Sequence, residues 1–169
     1  MSAVHATGTD PWDIVTYEAS MLFKACRLLA DARDVADGDT ANNAMVEIAC
    51  LHARVLIDIL LSKDFRKGDD VRLDAILPGF HHRSLDALRA AYGDAKTPGK
   101  PCWTLNKMIM HPTMTRGSSH DYTNLLNTML PLIAAVLQEV EARHPKGGTP
   151  SLASSTHGVY PGLCAKPSS

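Results

Sequence analysis

ANNAMVEIACLHARVLIDILLSK, residues 41–63, is the stretch that decides the fold. Met45, Val46, Ile48, Leu51, Val55, Leu56, Ile57, Ile59 and Leu60 make it apolar nearly all round. A helix of that kind is normally the buried centre of a helical domain. At about 100° per residue, Asn43, Glu47, Arg54 and Asp58 still fall on one narrow stripe, and His52 stands about 140° from Glu47 on a different face. A charge without water or a partner is costly to bury, so this stripe is either paired or wet. Arg54 and Asp58 are i, i+4 neighbours and can pair.

Upstream, Asp37-Gly38-Asp39-Thr40 reads as a stop and a fresh cap for this helix. Before it, Ile14, Tyr17, Met21, Ala25, Leu28 and Leu29 recur at helical spacing and predict a first helix over 11–36. Thr9 or Asp10 is its cap and Pro11 its first residue, where the missing N–H costs nothing. Downstream, Asp69-Asp70 predicts a short helical turn ending at Leu77, before Pro78-Gly79. Ser84 reads as the cap of a short helix carrying Leu85, Leu88 and Tyr92. Pro101 opens a further helix that ends near His111, because Pro112 disfavours helix before it. Residues 120–143 repeat apolar side chains at helical spacing, and Pro131 inside them predicts a kink. The expected architecture is all-α: a bundle of four main helices over residues 11–144. A flexible arm over 1–10 precedes it, and a Pro/Gly/Ser-rich tail over 145–169 follows.

The chain has 169 residues and a formal net charge of −1, which suits one domain with a real core. Near-neutrality argues against a protein that coats nucleic acid or anionic lipid by bulk charge. The four cysteines lie far apart with no C-x-x-C pair, so a reduced chain is expected. The first ten residues lack a basic segment and an apolar segment, so no signal peptide is expected. Residues 44–61 carry too many ionisable groups for a membrane span. The resulting expectation is a cytoplasmic protein without membrane partners.

Charge is nevertheless segregated. From Ala95 to His120 there is no Asp or Glu, while Lys96, Lys100, Lys107 and Arg116 lie there with His111 and His120. Lys107 and His111 are i, i+4 and share a face, with Asn106 and Thr113 close by. Such a segment suits an anion such as a phosphate. The competing expectation is that these cations neutralise Glu47, Asp58 and Asp69-Asp70, with Arg54 and its neighbours fixing helix register.

The two segments together resemble the HEPN superfamily of small all-α proteins. More narrowly, they resemble uncharacterised bacterial HEPN-like proteins that pair an E-x4-H-x-R-x3-D helix with an N-K-x3-H-x-T-x2-R segment. Here those residues are Glu47, His52, Arg54 and Asp58, then Asn106, Lys107, His111, Thr113 and Arg116. The resemblance covers about residues 41–140. It implies a homodimer with facing motif helices and RNA or a nucleotide phosphate as partner, without metal or other cofactor. Active members carry R-x4-6-H, in which Arg binds the scissile phosphate and His moves the proton during attack by the 2′-hydroxyl. His111 matches that His, and Asn106 stands where the Arg would be. The resemblance then assigns proton transfer to His111 and phosphate binding to Lys107 and Arg54. Asn106, Thr113 and Arg116 assist with the anion, while Glu47, Asp58 and His52 orient the cations.

Other chemistries are poorly served. His81-His82 and His120-Asp121 lack partners at metal-ligand spacing. Cys102 has no catalytic signature around it, and no Gly-rich phosphate loop is present. Two functions remain: a metal-independent ribonuclease with a degenerate motif, and a non-catalytic accessory module of a defence or toxin–antitoxin system.

Overall fold

The structure, a computed structural model, describes residues 10–31, 39–61, 70–106 and 122–145. It contains six helices among those residues: α1 (Pro11–Asp31), α2 (Asp39–Leu61), α3 (Leu73–Ile76), α4 (Arg83–Tyr92), α5 (Pro101–Thr104) and α6 (Tyr122–Arg143). No strand occurs among the described residues, and the protein is all-α there. The expected arm and tail lie outside the described residues, apart from Asp10 and Pro145.

Asp10 starts α1. Its side-chain Oδ1 accepts the Trp12 N–H at 2.9 Å, and its carbonyl accepts the Asp13 N–H, with Pro11 at the first helical position. The buried face of α1 is Trp12, Val15, Ala19, Leu22, Phe23, Ala25 and Cys26. This corrects the stripe expected from Ile14, Tyr17, Met21, Leu28 and Leu29. Tyr17 is 57% and Leu28 43% exposed, while Ile14 and Leu29 only flank the core. The helix has two apolar faces, and the one with Trp12, Leu22 and Phe23 offers more area to bury.

Along its length α1 packs on α2, across a seam that includes Ala19, Cys26, Ala49, Cys50 and Ala53. Such small residues allow two helix axes to approach closely. The remaining core face of α2, Leu56, Ile57, Ile59 and Leu60, faces inward with α6 packed on α2 as well. On α6 the core residues are Leu126, Met129, Leu130, Ile133, Ala134, Val136, Leu137 and Val140. Pro131 stands on the exposed side of α6, and the helix continues through it. The segment Asn124–Arg143 is long and apolar enough to cross a membrane by composition, with mean hydropathy 1.3, and half of it is buried inside the protein.

Helix starts differ from expectation at two places. α2 begins at Asp39, so Thr40 lies inside the helix rather than capping it. α4 is capped by His82, not Ser84. The His82 Nδ1 accepts the Ser84 N–H at 3.3 Å and lies 2.8 Å from the Ser84 hydroxyl. The same imidazole reaches Glu139 on α6 (Nε2 to Oε2, 3.7 Å), and Arg143 lies over the Phe80 ring at 5.2 Å. A tertiary contact thus selects the cap that local preference would have given to Ser.

The two ends of the described chain meet. Trp12 stacks on His144 with ring centroids 4.5 Å apart and planes inclined by 18°.

Candidate functional site

The charged stripe of α2 is on the outside of the fold. Asn43, Glu47 and Asp58 are exposed and Arg54 is half-buried. Arg54 Nε lies 3.5 Å from Asp58 Oδ2, with the side chains 23% and 58% exposed. The water-side answer to the burial problem therefore applies. A pair this open and this long contributes at most about 1 kcal/mol.

Asn106 closes the turn after α5. Its Nδ2 donates to the Cys102 carbonyl at 2.8 Å and lies 3.5 Å from Cys102 Sγ. The amide is committed to its own helical turn. Asn106 also carries no charge and cannot supply what an Arg at this position would.

Tyr92 connects these two groups. It ends α4, is only 6% exposed, and its hydroxyl finds no hydrogen-bond partner of good geometry. Burial pushes its pKa well above the ordinary tyrosine range, with Cys102 and Asp58 adding to the rise and Arg54 opposing it. All three side chains are therefore within electrostatic reach of the hydroxyl. The Cys102 thiol also raises the pKa through a side-chain hydrogen bond, a weak one because sulfur is a poor acceptor and the contact lies outside strict hydrogen-bond geometry. Arg54 and Asp58 on α2 and Cys102 on α5 thus lie around Tyr92 on α4, and Asn106 is bonded to Cys102.

His52 lies elsewhere. Its Nδ1 sits 2.6 Å from Glu18 Oε2 across the α1–α2 seam, both side chains being largely buried. A carboxylate can only accept, so the imidazole donates through Nδ1. Tyr17 and this imidazole meet in a T-shaped arrangement, with centroids 6.2 Å apart. The structure pairs Arg54 with Asp58, holds Asn106 on the turn after α5, and sets His52 on another face, with Glu47 two turns back along α2. Lys107, His111, Thr113 and Arg116 lie outside the described residues.

Glu18, Tyr92 and Cys102 are the participants that sequence reasoning missed. Among the described residues, no three His, Cys, Asp or Glu side chains come together as a metal cage. Comparison with protein-family models, with curated proteins and with solved structures finds no match for this chain.

Proposed function

We propose that this chain is a HEPN-like four-helix-bundle protein acting on RNA or a nucleotide phosphate, as a cytoplasmic homodimer with facing motif helices. The observation that carries this is Arg54: its half-buried guanidinium stands on the outward-facing charged stripe of α2, with Nε 3.5 Å from Asp58. Guanidinium forks match phosphate oxygens in shape and charge.

In this reading His111 is the general acid and base. It takes the proton of an RNA 2′-hydroxyl as that oxygen attacks the adjacent phosphorus. The bond to the 5′-oxygen breaks, and a proton goes to that leaving oxygen. The products are a 2′,3′-cyclic phosphate and a free 5′-hydroxyl. Lys107 and Arg54 hold the phosphate with help from Thr113 and Arg116, while Asp58 and Glu47 orient the cations. No step calls for a metal ion. Labelled RNA incubated with the purified chain is expected to be cleaved equally with and without EDTA. His111→Ala is expected to lower the rate about 100-fold or more, the usual scale of one acid–base group. Equal inactivity of the wild type and His111→Ala would overturn the ribonuclease.

A non-catalytic accessory module is favoured instead by Asn106, whose amide is spent on the Cys102 carbonyl. In that case Arg54 and Asp58 serve structure, and Arg54→Met lowers the melting temperature. If the pair instead serves an anion site, its openness to water limits the shift in Tm to about 3 °C, a change of about 1 kcal/mol in a chain of this size. A drop well beyond that would move the cluster to a structural role.

A further inference from the structure

We propose that His82 is a proton-controlled cap: when neutral, its imidazole holds the start of α4, and when protonated, it releases the Ser84 amide and ties α4 more firmly to α6. The inference stands apart from the RNA reading and rests on one side chain with two partners.

At the start of α4 the imidazole is an acceptor. Its Nδ1 accepts the Ser84 N–H at 3.3 Å, and the Ser84 hydroxyl stands 2.8 Å from the same nitrogen. A neutral imidazole accepts through one ring nitrogen only, so Nδ1 carries the lone pair and Nε2 the proton. Nε2 faces Glu139 Oε2 on α6 at 3.7 Å. The two ring nitrogens thus serve two helices.

A second proton can go only to Nδ1. There it occupies the lone pair, and the Ser84 amide loses its acceptor. The Ser84 hydroxyl keeps its place, because a hydroxyl can turn from donor to acceptor. The backbone N–H cannot, and it is the group left open. At Nε2 the change has the opposite sign, since the N–H facing the Glu139 carboxylate now belongs to a cation. The His82 and Glu139 side chains are 24% and 37% exposed, so water reaches both. The charged neighbours leave this exchange intact. Arg143 shares the same Glu139 oxygen at 3.3 Å. Asp86 is engaged by Arg89 at 3.1 Å and faces His81 at 3.9 Å, and Arg83 is exposed beside the cap. Histidine is the side chain whose charge ordinarily changes between pH 5 and 8, so the device works within that interval.

The test is NMR on the full chain at pH 8 and pH 5. The His82 ring is expected to carry its proton on Nε2 alone at pH 8 and on both nitrogens at pH 5. Water exchange of the Ser84 amide, corrected for hydroxide catalysis, is expected to be about fivefold faster at pH 5, the weight of one N-cap hydrogen bond. His82→Asn keeps a capping oxygen that does not titrate, and its corrected Ser84 rate is expected to be equal at both pH values. A proton on Nδ1 at pH 8 would overturn the proposal. So would an unchanged corrected Ser84 rate in the wild type, or the same fivefold step in His82→Asn.

Discussion

Phe23→Ala is expected to lower the free energy of unfolding by about 3–5 kcal/mol. Phe23 is buried on the face of α1 that meets the core, alongside Leu22 and Cys26. Removing its ring loses the transfer free energy of the apolar atoms and leaves a cavity. The two long helices that pack along this seam cannot collapse around a missing ring without shifting their whole contact. Domains are stable by only about 5–15 kcal/mol, so one such cavity takes a large share of the total. Tyr17→Ala and Leu28→Ala are the internal controls. Both residues are more than 40% exposed on the opposite side of the same helix, Tyr17 keeping one edge contact with His52, and each change is expected to cost no more than about 1 kcal/mol. Urea unfolding of the three variants settles which apolar face of α1 is the core face. Equal losses for Phe23 and Tyr17 would mean that the helix is rotated from the orientation described.

Alkaline conditions are expected to weaken the fold through two buried thiols. Burial pushes Cys26 from an ordinary value of 9.0 up to about 12. Cys50 is pushed up to about 12 as well, by burial first and then by Cys26 and Glu47. In the folded chain these thiols stay neutral where the unfolded chain would ionise them. Their contribution is therefore complete below pH 9 and is lost as pH rises toward 12. Each pH unit in that window removes about 1.4 kcal/mol per thiol. Between pH 8 and pH 10.5, two thiols together account for about 4 kcal/mol. Urea unfolding at those two pH values, under a non-thiol reductant, measures it. The Cys26→Ala/Cys50→Ala chain is expected to lose about 4 kcal/mol less than the wild type over the same interval. If the two chains lose stability equally, the thiols are open to water in the folded state.

The helices were legible because apolar spacing reports the helical period wherever a long element packs. α1, α2 and α6 begin within two residues of their expected starts, with Asp10 and Pro11 doing locally what capping chemistry requires. Helix rotation was less legible. α1 carries apolar residues on two faces, and the choice between them depends on what α2 presents across the seam. The α4 cap was missed for a similar reason: Ser84 is the better cap by local preference, and only the reach to Glu139 favours His82. Within the candidate site, Arg54 with Asp58 was readable as an i, i+4 pair. Glu18 was not, because its partner His52 is 34 positions away and no local pattern links them. Tyr92 was readable only as an apolar anchor of α4. Its orphan hydroxyl emerges when α2 and α5 are placed beside it.

The stack of Trp12 on His144 has a topological consequence. Asp10 and Pro145 flank that stack and leave the folded core at one pole. A short peptide joining residue 10 to residue 145 would close the described domain into a ring without disturbing the α1–α2 seam. New ends could then be opened in the exposed turn at 94–99, which is pinned locally by Asp94 accepting from the Lys96 and Thr97 amides. The domain is in this sense already arranged for circular permutation, with its order of helices a matter of where the ring is cut.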